Sequence, residues 1–221
     1  MTSIWKFRLL ALLLVVFVGG VSIAILAAEV LRPAPPPLGL RSGDVLSPDE
    51  TSSARLSSTI APFRSDLKGD YAVALAGQVF HSEPAAAPEE IQAARDKVRS
   101  ALEIGPHNSR LWLVLALLQA RSNPIDPLLP KSLKMSYLTG PNQADLIPLR
   151  LQTVTSNNAL DDSDLAELAR SDVRAMLTQL SQQRPMLLDD YARASGVGKK
   201  FLEESVGRVD PGFLVTLRGT R

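Results

Sequence analysis

Residues that could bind a metal ion are few and far apart in this sequence. The two histidines, His81 and His107, lie in a predicted loop and a predicted turn, and neither shares a helix face with a second ligand. The acidic run DDSD at 161–164 lacks the twelve-residue loop, the glycine and the distal glutamate of a calcium site. We interpret it as the start of a helix, where acidic side chains complement the helix dipole. We therefore expect no metal ion and no cofactor.

Two further patterns resemble sites of phosphate or acid–base chemistry. The segment SGVGKK at 195–200 lacks the spacing of a phosphate-binding Walker loop and follows no strand, so we interpret it as a turn between helices. The acidic pairs at 189–190 and 203–204 lie on predicted helices, where adjacent side chains point in different directions. We interpret both pairs as solvated faces. With no cysteine in the chain, a thiolate nucleophile is also excluded, and we expect that the protein is not an enzyme.

The first structural element is an uncharged apolar segment at 9–28. As a helix it would extend over roughly 30 Å, the thickness of the hydrocarbon core of a bilayer. Lys6 and Arg8 precede it, and positively charged flanks stay in the cytoplasm. We predict a transmembrane signal anchor at 1–31 with a short cytoplasmic N-terminus. A cleaved signal peptide is the alternative, although its apolar region would be only about 7–15 residues long.

The charge balance restricts the partners of the rest of the chain. Without Lys6, Arg8 and Glu29, the 24 basic and 23 acidic residues become 22 of each. A body without net charge has no electrostatic footprint for nucleic acid. The Ala- and Arg-rich composition is typical of bacteria, and we therefore predict a single-pass protein of the bacterial inner membrane whose C-terminal domain is periplasmic. The proline-rich segment 32–46 predicts a semi-rigid linker that lifts this domain off the membrane.

The domain at 47–221 has the sequence pattern of an all-α fold. Ser47 and Pro48 predict a helix start as N-cap and first residue, and Gly105-Pro106 predicts a helix end. Asn108 or Ser109 is expected to cap the next helix, RLWLVLALLQA, whose almost continuous apolar surface predicts the most buried helix of the domain. Further helices are predicted up to the C-terminus, with Ser163 as a cap and helix ends near Gly196 and Gly207. We find no strand pattern.

An internal repeat joins these helices. Gly105-Pro106 recurs as Gly140-Pro141 at an offset of 35, and a weaker echo of the same helix–turn–helix pattern surrounds Pro62. Such a repeat is typical of stacked helical hairpins, each of which buries its apolar face against the next. An irregular helical bundle is the alternative.

Across this joint the chain resembles the tetratricopeptide repeat (TPR) family. The pattern of small, bulky, small residue and proline, followed by Trp, Leu and a small residue, is matched by Ala94, Val98, Ala101 and Pro106, then Trp112, Leu115 and Ala116. The sequence departs from the pattern at Gln119, Leu129, Ser136 and Arg150. The resemblance implies a TPR-like α-helical hairpin array with C-terminal capping helices after Ser163. It also implies that Ala94, Ala101 and Trp112 are buried together.

In the TPR family, peptide partners commonly lie along the concave face formed by the first helix of each pair. Carried over to this chain, the lining residues are Arg110, Leu113, Leu117 and Ala120, with Asp66 and Asp145 at the position of Arg110 in the flanking units. The alternative is that Leu113 and Leu117 are simply core residues. We expect no catalytic residue in this surface.

The sequence therefore predicts a membrane-anchored scaffold or adaptor that binds a protein partner outside the inner membrane. Assembly of the cell envelope or of surface polysaccharide is a suitable setting for such an architecture. The alternative is an accessory module that binds a glycan or a lipid-linked substrate for a membrane enzyme. That alternative requires a groove with clustered aromatic residues, whereas Trp112, Tyr137 and Tyr191 are scattered along the sequence.

Overall fold

The computed structural model describes residues 2–33, 47–82 and 85–219, and within these ranges the chain is helical and contains no strand. The predicted all-α fold with an N-terminal apolar helix is confirmed. The α-helices are α1 Thr2–Val30, α2 Pro48–Ile60, α3 Ser65–His81, α4 Pro88–Ile104, α5 Ser109–Ser122, α6 Leu129–Thr139, α7 Ile147–Ser156, α8 Ser163–Thr178, α9 Arg184–Arg193, α10 Gly196–Val209 and α11 Pro211–Gly219. Two short 3₁₀ helices cover Asn158–Asp161 and Ser181–Gln183.

Helix starts follow the predicted caps in most cases. The hydroxyl of Ser47 accepts from the amide of Glu50, whose carboxylate accepts from the amide of Ser47, which completes a capping box at the start of α2. Asn108 caps α5 through the amide of Leu111. The prediction for α8 is wrong by one residue, because Asp162, rather than Ser163, accepts from the first free amides.

Helix α1 is apolar along most of its length. Within its segment Trp5–Val30, the most apolar stretch of 18 residues has a mean hydropathy of 3.0, and none of that stretch is buried. It is long and apolar enough to span a membrane, and it is the one such helix in the described part of the chain. The predicted linker at 32–46 lies outside the described residues from position 34 onward. The last turn of α1 packs on α2, and its Ala28 shares a small buried cluster with Leu67 of α3. The role of the linker as a spacer stays a prediction.

The apolar core has two main parts, and α5 contributes to both. Leu113 and Ala116 belong to the larger cluster, which is formed mainly by α6 to α11. Val114 and Leu118 belong to the smaller cluster, formed with α3 and α4. Eight of the fourteen residues of α5 are buried, against seven of ten in α7. The prediction that α5 is the most buried helix is therefore wrong, since α7 is enclosed by α8, α9 and α10.

Helices α2 to α6 pack in chain order, each against the next, and α3 also contacts α5. This arrangement is compatible with stacked helical pairs. Ala94 and Ala101 are buried in the smaller cluster as predicted, whereas Trp112 only packs against it and stays partly exposed. The Trp112 indole donates to the carbonyl of Pro106 at 2.8 Å, which holds the ring at the edge of the turn between α4 and α5.

Helix α10 lies unusually close to the end of α7. Both the amide and the hydroxyl of Ser195 donate to the carbonyl of Thr155, at 3.0 and 2.9 Å. A Cβ atom on Gly198 would lie only 2.0 Å from the same oxygen, so the contact requires glycine. The segment SGVGKK is thus the capped first turn of α10, rather than the predicted inter-helix turn, and Gly207 lies inside α10 rather than at its end.

Candidate functional site

The first predicted partner-binding residue, Arg110, is half-buried in the first turn of α5. Burial lowers the pKa of Arg110, and the carboxylates of Asp70 and Asp145 oppose that shift. Arg110 therefore lies between two carboxylates that attract its charge, Asp70 on α3 and Asp145 in the turn before α7. Within the described residues, its buried Nε has no hydrogen-bond partner.

The apolar residues predicted for the same face divide into two groups. Leu113 is fully buried in the larger core cluster. None of its side chain is accessible to a partner, so its prediction as a partner contact is wrong. The alternative prediction, that Leu113 is a core residue, is correct. Leu117 and Ala120 are partly buried and pack against that cluster, so part of each side chain remains accessible.

Asp66 belongs to an ionic cluster that joins the body to the end of α1. Arg64 donates to Glu29 at 2.7 Å and also pairs with Asp66. Arg32, two residues beyond α1, contacts Asp66 at 3.2 Å and Asp70 at 2.7 Å. We call these five residues the junction cluster. It links three segments of the chain, namely the end of α1, the turn before α3 and the first two turns of α3.

Burial and pairing shift the pKa values of the junction cluster in opposite directions. The hydrogen bonds from Arg64 lower the pKa of Asp66, and the same carboxylate, together with Glu29, raises the pKa of Arg64. Burial raises the pKa of Asp70, against the opposing charge of Arg32. Asp70 is thus the member whose charge depends most on its partner, because water reaches it least.

An apolar contact lies beside the junction cluster. Ala28, Ala61 and Leu67 form a small buried cluster in which the end of α1 meets the turn between α2 and α3. Sequence reasoning missed this junction, although it identified Asp66. The spacing of Asp66 and Asp70, four apart, places them on one helix face, but it does not indicate that Arg32 and Arg64 meet them.

A second polar group is buried between α6, α7 and α8. Arg150 lies over the ring of Tyr137, with 4.8 Å between the guanidinium carbon and the ring centre. Burial raises the pKa of Asp172 to about 7, although Tyr137 and Arg150 both favour its charged form. Since Arg150 and Tyr137 are almost fully enclosed, this group supports the fold and cannot meet a large ligand.

Two of the acidic motifs have structural roles. The carboxylate of Asp162 caps α8, and Lys134 pairs with Asp162 and Asp164, as expected for acids at a helix start. The interpretation of Asp190 as a solvated residue is wrong, because it is buried in α9 and burial raises its pKa to about 7. Glu203 accepts from Tyr191 at 2.7 Å. Across the described ranges, no group of three or more His, Cys, Asp or Glu could hold a metal ion.

Comparison with known proteins finds no significant similarity. No protein-family model matches the chain, and neither the curated proteins nor the solved structures include a significant match. The likeness to TPR proteins therefore stays a prediction from the motif residues.

Proposed function

We propose that this chain is a single-pass protein of the bacterial inner membrane whose periplasmic, TPR-like helical body serves as a scaffold for a protein partner. Helix α1 is the anchor. The body presents a surface that runs from the junction cluster across Arg110 to Asp145. Assembly of the cell envelope, including export of surface polysaccharide, is the proposed setting.

The junction cluster is the observation that carries this proposal. Arg32 and Arg64 each reach carboxylates on another segment, at distances down to 2.7 Å, next to the buried contact of Ala28. A body attached in this way cannot move freely relative to α1. Its surface stays at one height and one orientation beside the membrane, which suits a protein that positions a partner.

The chemistry of Arg110 supports a protein partner at this surface. An arginine side chain is suited to a carboxylate or a backbone carbonyl of a partner, because its guanidinium presents several donors in one plane. Asp145 is exposed beside it and provides an acceptor. Leu117 offers some apolar area on the same helix as Arg110. Arginine flanked by partly buried apolar residues is common at the centre of protein interfaces.

Protease accessibility tests the proposed topology. The full chain, expressed in a bacterium with tags at both ends, is exposed to protease in intact spheroplasts. We expect digestion of the body and protection of the N-terminal tag. Complete protection of the body would rule out the periplasmic orientation, and release of the body without membrane extraction would rule out the anchor.

Site-specific photocrosslinking tests the partner surface. A photoreactive amino acid at Asp145 should yield one discrete crosslinked protein in membranes, whereas the same residue at the exposed Lys200 on α10 should not. Arg110→Gln should weaken the crosslink from position 145 by at least fivefold. The matched control is Arg121→Gln, an exposed residue at the other end of α5, which should leave it unchanged. Equal crosslinking from positions 145 and 200 would contradict this surface.

A further inference from the structure

A cavity of about 490 Å³ opens between α2, α3 and α4. Its lining includes three basic residues, one from each helix: Arg55, Lys68 and Lys97. Four residues with hydroxyl groups also line it, namely Ser58, Thr59, Tyr71 and Ser100, and none of the lining residues is acidic. A volume of this size lies within the usual range of small-ligand sites.

The three basic residues converge although the chain brings them from different helices. Each helix contributes residues that are three positions apart and therefore share a face, such as Lys68 with Tyr71 and Lys97 with Ser100. Within the described ranges none of the three cations forms an ion pair. Local positive charge is thus left uncompensated in a body whose overall charge is balanced.

This combination of groups selects for an anionic ligand with several acceptor oxygens. Phosphate oxygens accept strong, charge-assisted hydrogen bonds from arginine and lysine, and the hydroxyls of Tyr71 and Ser100 can donate to the remaining acceptors. The hydroxyls of Ser58 and Thr59 donate instead to the backbone carbonyl of Arg55, at 2.7 and 2.8 Å. The cavity is not suited to a metal cation, because no carboxylate lines it. A neutral glycan would not require three unpaired cations.

The cavity lies at the end of the body that meets α1. Ser58 and Thr59 belong to the last turn of α2, three and two residues before Ala61, which packs on Ala28 of α1. Arg55 precedes Ala61 by six residues, or about 9 Å along a helix axis. The adjoining turn carries Phe63, which is 92% exposed. An exposed aromatic side chain beside a membrane helix is typical of the membrane interface.

We propose that the groove between α2, α3 and α4 binds the phosphate group of an anionic ligand through Arg55, Lys68 and Lys97. A phospholipid headgroup or lipid-linked phosphate and a free phosphate share this chemistry. The position of the groove beside α1 favours a lipid as the source of the phosphate. This choice of source rests on the proposed membrane anchoring, whereas the binding of phosphate does not depend on it. The site is separate from the partner surface, which lies on the opposite, Asp66–Asp70 side of α3.

Titration of the purified full chain in a neutral detergent tests this site. The probes are inorganic phosphate and short-chain phosphatidylglycerol, with short-chain phosphatidylcholine as a zwitterionic comparison, measured by calorimetry in phosphate-free buffer. We expect the triple variant Arg55→Gln, Lys68→Gln and Lys97→Gln to raise the dissociation constant at least tenfold. The matched control replaces three exposed cations elsewhere, Arg121→Gln, Lys131→Gln and Lys200→Gln, and should change it less than twofold.

The outcomes distinguish a lipid from free phosphate as the ligand, and they distinguish the phosphate site from the proposed scaffold function. Tighter binding of phosphatidylglycerol than of phosphate supports a lipid ligand, and equal binding supports a free phosphate ligand. The site is disproved if neither probe saturates the native chain, or if the two triple variants weaken binding equally. Ser100→Phe, which narrows the groove without a change in charge, should also weaken binding and covers the case of a misfolded triple variant. Because no partner protein and no membrane orientation enter this measurement, its failure leaves the scaffold proposal standing.

Discussion

Arg150 of α7 donates from Nε to the hydroxyl of Ser136 on α6 at 3.0 Å and from Nη2 to the carbonyl of the same residue at 2.5 Å. The Ser136 hydroxyl in turn donates to the carbonyl of Ser109 at 2.8 Å. Both Arg150 and Ser136 are positions at which the sequence departs from the TPR pattern. The two departures compensate each other, because the serine provides acceptors for a guanidinium that would otherwise be buried without them.

Replacement of Arg150 by leucine restores the residue of the pattern and should nevertheless destabilise the protein. Arg150→Leu leaves the buried hydroxyl and carbonyl oxygens of Ser136 without their donor. It also removes the positive charge that favours the ionised form of Asp172. We expect the free energy of unfolding to fall by about 1–3 kcal/mol, measured by denaturant unfolding of the full chain in detergent. Arg174→Leu, at an exposed position on α8, should stay within about 0.5 kcal/mol. If Arg150→Leu were as stable as the native protein, the proposed compensation between Arg150 and Ser136 would be contradicted.

The stability of the body should fall as the pH rises through the neutral range. Burial raises the pKa of Asp172 and of Asp190 from 3.8 to about 7, so the folded state holds two protons that the unfolded state has already lost. Their contribution to stability is present below about pH 4 and disappears as the pH approaches and passes 7. Asp66 has the opposite sign, since its lowered pKa affects stability only in the acidic range.

The double variant Asp172→Asn and Asp190→Asn isolates this effect. Asparagine resembles the protonated acid, so the variant should lose most of the decrease in unfolding temperature between pH 5 and pH 8. In a chain of this size each kcal/mol corresponds to roughly 2–4 °C, which thermal unfolding followed by circular dichroism resolves. Glu103→Gln, at an exposed position on α4, should keep the native pH profile. A double variant with the native profile would show that other groups cause the pH dependence.

Gly198 should tolerate no side chain. In Gly198→Ala the new Cβ would meet the backbone oxygen of Thr155 at 2.0 Å, so α10 must shift away from α7. We expect a loss of about 1–3 kcal/mol in the free energy of unfolding. Gly196→Ala in the same helix turn has open space around its Cβ and should be neutral or slightly stabilising. Equal effects of the two substitutions would contradict the close approach of the helices.

The junction cluster should loosen when Asp70 loses its charge. Asp70→Asn removes the carboxylate that Arg32 contacts at 2.7 Å and should broaden the distribution of distances between α1 and the body. Because the chain has no cysteine, spin labels on cysteines introduced at Val16 and Glu103 report this distance without background labelling. Asp96→Asn, whose carboxylate is exposed and contacts the nearby Arg99, is the control. An unchanged distribution in Asp70→Asn would mean that the apolar contact alone holds the junction.

The helices were largely predictable, whereas their contacts were not. Caps and breakers such as Ser47 and Gly105-Pro106 act over a few residues, so the sequence predicts where α2 begins and α4 ends. The contact of Arg32 with Asp70 joins residues that are 38 positions apart, and no local pattern predicts such a pair. The burial of Asp190 is unpredictable for a related reason, because the ten residues of α9 are too few for their periodicity to identify the buried face.

The attachment of α1 at its end has a mechanical consequence. Ala28 is enclosed by the body, while Arg32 and Glu29 are held from two directions by carboxylates and by Arg64. A helix gripped in this way cannot rotate about its own axis while the body stays still. A change in the tilt of α1 would therefore change the orientation of the body as well, because the two are fixed to each other at this junction.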